Sequence, residues 1–411
     1  MPNNRTSLFC PSRRVTELGL PQRLAGGARQ ADRELLAQAP AGFLDTTHFD
    51  TVRFPPPPWA LRAFAEAAAD GSLAYTGYRG NARVLEQVAG SLAGFTGERF
   101  DPHRELILTP GTQAGLFGAL SALVNEGDLV LLVDPDYLFS ERILRFLGAR
   151  VQSVPLLTEG EIRPDLDLLE ECLRQQQPKL LLFSHPNNPT GAVYSPAVIA
   201  RLAELAVRHD LWVVVDELYA RLLYDDVSYA HLAAQPSMRE RTVTLFGPSK
   251  TESLSGYRLG VVAAPPQVIA AMEDVQSITS LRAPAYAQHV LSPWLRDDRD
   301  WLAERLQEFD RLRHMTVEAF RSMPWLRISL PAGTAYAWPD VSALGQPDTV
   351  IAGALLKEAG VLVSPGYQFG AHGCNHFRVC FARDEREWAA ALERMKSVLE
   401  GFARKNGLTR G

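Results

Sequence analysis

One lysine stands in unusual company. Lys250 closes the segment Phe246-Gly247-Pro248-Ser249-Lys250, directly after an apolar run, and Arg258 follows in Ser255-Gly256-Tyr257-Arg258-Leu259-Gly260. Upstream lie His185-Pro186-Asn187-Asn188-Pro189-Thr190-Gly191 and Val213-Val214-Val215-Asp216-Glu217-Leu218-Tyr219. In this set a lysine amine can condense with an aldehyde and an arginine can neutralise a phosphate. Asp216 can hold the proton of a ring nitrogen, while Asn188 and Tyr219 can donate to a phenolic oxygen. Those are the needs of one cofactor, pyridoxal 5′-phosphate (PLP).

Other residues fit the same chemistry. Gly111-Thr112-Gln113 follows a predicted strand and opens a helix, where free N–H groups and the helix dipole attract an anion. Tyr137, in Asp134-Pro135-Asp136-Tyr137, follows another strand and is placed to stack on a ring. Arg378 lies inside the apolar run His376-Phe377-Arg378-Val379-Cys380-Phe381. It either snorkels to solvent or clamps an α-carboxylate with two parallel hydrogen bonds. Plainer readings stand beside these. Asp216 at a strand end also caps a turn, Tyr219 also packs a core, and Asn-Pro followed by Thr-Gly is a turn signal by itself. The place of that turn favours a ligand, because open α/β sheets bind ligands at the carboxyl ends of their strands.

These groups need a scaffold, and the sequence supplies one. Short, uniformly apolar runs at 105–109, 129–133, 151–156, 179–183, 211–215, 242–246 and 259–264 predict strands. Helical patterns at 61–69, 82–92, 112–124, 140–147, 166–175 and 196–208 alternate with them. That alternation predicts a mostly parallel sheet covered on both faces. Residues 300–323 form one long helical period and join two lobes. Beyond them, strands at 326–329, 335–338, 361–363 and 377–381 with helices at 349–358 and 385–402 predict an α+β lobe. The division is a large domain over 55–295, a connecting helix over 296–324, and a small domain combining 1–54 with 325–411. Pro55-Pro56-Pro57-Pro58 predicts a stiff extended hinge.

Composition narrows the partners. The chain has 411 residues, a net charge of -5 and a pI near 6.0, so no polybasic face suggests nucleic acid. The apolar runs are strand-sized and exclude a membrane span. The N-terminus has no apolar core of a secretory signal. Cys10, Cys172, Cys374 and Cys380 follow neither a disulfide framework nor metal-finger spacing, which predicts free thiols, no metal and a cytoplasmic protein.

The order and spacing of the motifs resemble the class I/II aminotransferases, the aspartate aminotransferase-like family of fold-type I PLP-dependent enzymes. The resemblance rests on the Asn-Pro-Thr-Gly turn, Asp216-x-x-Tyr219, Ser249-Lys250, Gly256-x-Arg258-x-Gly260 and Arg378, and it spans residues 74–381. Residues 364–373 also resemble the glycine-rich loop that precedes the carboxylate-binding arginine. The resemblance implies an α/β fold whose large domain carries a mostly parallel seven-stranded sheet, plus a smaller α+β domain. It implies Lys250, Asp216 and Tyr219 as catalytic residues. Gly111, Thr112, Gln113, Tyr137, Asn188, Ser249 and Arg258 then hold the cofactor together with Asp216, Tyr219 and Lys250. Arg378, Asn188 and His48 bind the substrate. Tyr75, in Tyr75-Thr76-Gly77-Tyr78-Arg79-Gly80, then reaches the phosphate in a neighbouring subunit, so a homodimer with shared active sites is implied, acting on an amino acid and a 2-oxo acid.

Three departures bear on the reaction. A polar stretch, Asp45-Thr46-Thr47-His48-Phe49-Asp50-Thr51-Val52-Arg53-Phe54-Pro55, stands where the family has a small-residue loop. His48, Asp50 and Arg53 either face substrate or tie the N-terminal arm to the main body. Gly247 replaces a phosphate-binding serine, leaving Ser249 or Thr251 to compensate. His185 replaces an asparagine, and Glu252 adds an acid beside Lys250. Besides transamination, the same cofactor chemistry serves decarboxylation, oxidation, γ-elimination or replacement, and ring closure of S-adenosylmethionine as in 1-aminocyclopropane-1-carboxylate synthases. A ligand-sensing domain of a transcription regulator is the reading from another class. It would need a DNA-binding module, and the first roughly 60 residues carry no helix-turn-helix pattern.

Overall fold

The computed structural model describes residues 12–16, 36–37, 39–49, 53–69, 74–296 and 298–408. Cys10, Asp50, Thr51, Val52 and Arg410, and most of the arm over 1–35, lie outside the described residues.

Strand β1 is Leu44–Asp45. It precedes β2 (Leu106–Pro110), β3 (Leu129–Asp134), β4 (Arg150–Leu157), β5 (Arg163–Pro164), β6 (Leu180–Ser184), β7 (Trp212–Asp216), β8 (Thr242–Phe246) and β9 (Leu259–Ala263). The last eight of these form one sheet in the order β2-β9-β8-β7-β6-β3-β4-β5. The core pairings, β4 with β3, β3 with β6, β6 with β7 and β7 with β8, are parallel; β9 runs antiparallel to both β2 and β8. The mostly parallel sheet is therefore present, with one strand beyond the expected seven. The addition is β5, two residues folded back antiparallel on β4 and too short to show any apolar period.

Helices cover both faces because each strand of the middle of the sheet is buried on both sides. The helix Pro196–Arg208 starts where Ser195 accepts a hydrogen bond from Val198 N–H, with proline at the first helical position. The helix Pro266–Thr279 has no counterpart in the sequence reading, which leaves 265–299 without an element. Its few core positions, Val268, Ile269 and Met272, leave a weak period behind two prolines. The proline run is extended only as far as Pro57, and Pro58 opens the helix Pro58–Ala69.

Beyond the sheet, the long helix Arg299–Arg321 packs Phe309, Leu312 and Phe320 into a second core. Strands β10 (Tyr336–Ala337), β11 (Val361–Leu362), β12 (Ser364–Pro365) and β13 (Phe377–Cys380) and the helix Glu385–Lys405 complete it, and Phe49 and Phe54 enter from the N-terminal side. Strand β13 lies between β10 and β12, and β1 pairs in parallel with β11. Residues 326–329 make no strand, only a single bridge from Arg327 to Asp340, because Pro331 and Gly333 turn the chain away. The helix expected over 349–358 is α-helical over Asp348–Ala354 and continues as a π-helical turn, Leu355–Ala359. Among the described residues no helix is long and apolar enough to cross a membrane.

The sheet's register does the positioning. Ser184 pairs with Asp216 and Asp216 with Leu245, so β6, β7 and β8 end side by side. The Asn188 turn, the Asp216–Tyr219 segment and the Lys250 turn therefore leave the same edge together, a placement expected for ligand sites of open α/β sheets.

Candidate active site

A cavity of about 210 Å³ opens at that edge. Lys250, Asp216 and Tyr219 line it, with Asn188 from the turn after β6 and Tyr137 from the loop after β3. Thr112 and Gln113 reach it from the helix Thr112–Leu123, and Arg378 and His48 from the second lobe. Four residues of the expected set stand outside the wall. Gly111 precedes Thr112 with φ +86°, and a Cβ there would collide with the Arg258 guanidinium. Arg258 thus lies flat against the backbone at the helix start, which makes a concave anion cradle. Ser249 is buried and its hydroxyl donates at 3.5 Å to the Leu259 carbonyl. Tyr75 is 82% exposed, its ring covered by the Arg282 guanidinium at 4.6 Å.

Arg378 is the most constrained group. Its Nη1 donates to Asn188 Oδ1 at 2.7 Å and its Nη2 to the Thr47 carbonyl at 2.6 Å. The guanidinium sits 4.0 Å from the Tyr336 ring centroid and 4.7 Å from that of Phe369. Its Nε is buried without a hydrogen-bond partner. A buried guanidinium with an unmet donor is built to receive an anion. Tyr336, which also accepts a hydrogen bond from the Tyr219 hydroxyl at 3.0 Å, lies in the strand expected over 335–338 but in no motif, so sequence reasoning gave it no role.

Burial sets the protonation of the other groups. Asp216 is pushed up to about 6, chiefly by loss of water and further by Glu217, against the opposing pull of the Leu218 N–H and the Lys250 charge. A cationic ring nitrogen would offset that burial. Burial raises Tyr137 and Tyr219 above the usual phenol range, so both remain hydrogen-bond donors. Tyr137 donates to Gln113 Oε1 at 3.0 Å. Asp136, raised by burial to about 7, accepts from Ser184 N–H and Ser184 Oγ, both at 2.8 Å, and fixes the Asn188 turn from below. Only its place one residue before Tyr137 could have signalled it.

The departures resolve geometrically. His185 is sandwiched between Tyr194 at 5.1 Å and Tyr229 at 4.4 Å, and burial lowers it to about 3, so it is a neutral packing group away from the cavity. Arg53 pairs with Glu308 at 3.1 Å and Asp384 at 3.6 Å, tying its segment to two helices. His48 instead stands in the cavity wall, and the Thr47 carbonyl meets Arg378. Amine, carboxylate, phenols, anion cradle and unmet guanidinium donor together fit PLP and an attached carboxylate.

The sequence pattern described as aminotransferase class I and II matches residues 47–395. The chain belongs to this family. An aspartate aminotransferase of Pyrococcus abyssi is 31% identical over 83% of this chain and 88% of that protein. An aromatic-amino-acid aminotransferase of Thermococcus litoralis is 30% identical over 84% of this chain and 88% of its own length. The crystal structure of an aspartate aminotransferase from Rhodobacter sphaeroides superposes with a TM-score of 0.85 at 35% identity, covering 91% of this chain and 99% of that one. The class I and II aminotransferases are PLP-dependent, and this one is a PLP-dependent aminotransferase of fold type I. Elimination, cyclisation and decarboxylation are not favoured by these relatives, nor is a regulatory domain.

Proposed function

We propose that Lys250 carries the cofactor and moves the substrate's α-proton, and that Arg378 selects α-amino acids by their carboxylate. The observation that carries this reading is that Lys250, Asp216 and Arg378 line one cavity. Bound PLP supplies an electron sink that acidifies the Cα–H of an attached amino acid. Asp216 would hold a proton at the ring nitrogen, and Tyr219 and Asn188 would donate to the phenolic oxygen. Gly111, Thr112, Gln113 and Arg258 would hold the phosphate, with Ser249 shaping the turn and Tyr137 packing on the ring. Arg378 and Asn188 orient the substrate carboxylate, the Thr47 carbonyl braces the guanidinium, and His48 stands at the substrate side. The Lys250 amine would take the α-proton at its Nζ as general base and give the same proton back as general acid. Over the full cycle the donor would leave as its 2-oxo acid and a second 2-oxo acid would leave as an amino acid, so the amino group and the carbonyl oxygen exchange overall.

Leu138, Phe139, Leu218 and Tyr336 contribute much of the remaining wall, which suits an apolar or aromatic side chain. Tyr75, Tyr286 and Ile278 expose apolar surface, which supports a homodimer in which Tyr75 reaches the partner's phosphate site. A large domain over 55–295, a connecting helix over 296–324 and a small domain from 325–411 with the N-terminal arm suit the two cores. The charge balance and free thiols suit the cytoplasm. Borohydride reduction followed by peptide mapping tests the central assignment: the label belongs on Lys250, and a label elsewhere defeats it. Conversion of the cofactor to its amine form by an L-amino acid tests the direction of chemistry.

A further inference from the structure

Behind the cavity, three charged side chains meet out of water. Glu252 and Asp298 are fully buried in their side chains, and Arg221 is 10% exposed. The Arg221 guanidinium holds Asp298 with two bonds, at 2.7 and 2.8 Å, and donates its Nη1 to Glu252 Oε1 as well. Glu252 Oε2 has no hydrogen-bond partner. Burying three charges this way gives little net stability, since desolvation consumes most of the attraction. Such a cluster serves better as a geometric constraint.

Its location says which constraint. Glu252 lies two residues after Lys250 in a turn closed by Ser253 N–H to the Lys250 carbonyl and Leu254 N–H to the Pro248 carbonyl, both at 3.2 Å. Ser253 takes a left-handed φ of +55°, a conformation unfavourable for a side chain with a Cβ. Arg221 lies on the segment after β7, five residues beyond Asp216 and two beyond Tyr219. Asp298 immediately precedes the long helix Arg299–Arg321. The Arg221–Glu252 contact therefore joins the turn that bears the amine to the segment that bears the carboxylate. PLP is rigid, so its aldehyde and ring nitrogen demand a fixed spacing between those two groups.

We propose that Arg221, Glu252 and Asp298 form a buried strut that sets the distance between Lys250 and Asp216, with Glu252 as the positioning residue. This inference rests on the assignment of Lys250 and Asp216 to the cofactor. The groups facing Glu252 are Arg221 from the segment after β7, Asp298 at the head of the long helix and the Trp294 indole, with Lys250 two residues away on the same turn. Burial and the neighbouring Asp298 push Glu252 up to about 7 against the pull of Arg221. The charge that grips Arg221 is therefore present above that pH and lost below it.

The test follows cofactor release from holoenzyme, by the visible band after dilution into a PLP scavenger, with apoprotein melting as a control. Glu252→Ala is expected to speed release about tenfold to a hundredfold, the usual cost of removing a support behind a ligating group. Glu252→Gln, uncharged at every pH, is expected to release cofactor as fast at pH 8 as the unaltered enzyme does at pH 6, and so to abolish the acceleration that the unaltered enzyme shows as pH falls from 8 to 6. If Glu252→Ala does not fold, Arg221→Lys, which keeps the charge but loses the forked geometry, is expected to speed release in the same way. An unchanged release rate and visible band in Glu252→Ala or Arg221→Lys, with only a lower melting temperature, would overturn the strut. So would a Glu252→Gln enzyme with the original pH dependence. Borohydride mapping of the unaltered enzyme separates this failure from a failure of the Lys250 assignment itself.

Discussion

Replacing Arg378 by lysine should penalise amino acids and spare amines. The guanidinium is braced by two bonds of 2.7 and 2.6 Å and by two ring faces, and its Nε is left without a partner. A lysine ammonium cannot span the Asn188 and Thr47 acceptors while also presenting two parallel donors to a carboxylate. A charged hydrogen bond of this kind is worth about 1.5–3 kcal/mol, so losing the fork should cost about 3 kcal/mol once non-additivity is allowed for. That corresponds to a fall of roughly a hundredfold in kcat/KM. The assay is a single-turnover half-reaction followed by the cofactor's absorbance, with phenylalanine and phenethylamine as paired donors. Arg378→Lys is expected to lose about a hundredfold with phenylalanine and less than about threefold with phenethylamine, which has no carboxylate for the lost bonds to hold. An equal loss with both would refute a carboxylate clamp and make Arg378 a structural support of the wall.

Three further predictions concern other groups. Lys250→Ala is expected to bind PLP weakly without turnover; retained turnover would remove the lysine from its role. Asp216, raised to about 6, keeps its proton in the apoprotein as pH falls below that value. Cofactor affinity should therefore be highest above about pH 6 and fall below it, and Asp216→Asn should bind weakly at every pH and lose at least about a hundredfold in rate; a normal pH profile in that variant would contradict the pairing. Asp134, at the end of β3, accepts from Ala371 N–H at 3.0 Å and His372 N–H at 3.1 Å, and holds the His372 imidazolium raised by that same carboxylate. Its contribution is fully present below the unfolded histidine value and disappears as pH rises through the raised one. It amounts to less than about 1 kcal/mol because His372 is 50% exposed. The protection of amides 370–373 against exchange, taken relative to their intrinsic rates, should fall across that rise in the native enzyme and stay constant in His372→Gln.

The parallel strands were legible because each is short, apolar on both faces and flanked by helices, and burial on both sides demands that composition. Helix starts were legible where a capping serine or proline marks them, as at Ser195-Pro196. The two-residue β5 carries no period, and Pro266–Thr279 buries too few side chains to show one. Most of the candidate site was readable because its groups sit in short motifs directly after strands. Tyr336, Asp136 and the Thr47 carbonyl were not, because their importance comes from what they touch.

By itself, the chain's sequence determined which chemical groups follow which strands, since motif and strand are neighbours along the backbone. Only the tertiary structure decided how far apart they stand. Strand register brings Ser184, Asp216 and Leu245 level, and packing of the second lobe carries Arg378 to Asn188 across a sequence separation of 190. The buried bridge from Arg221 to Glu252 and Asp298 belongs to the same category. Such distances arise from side-chain packing between segments remote in sequence, and no local pattern encodes them.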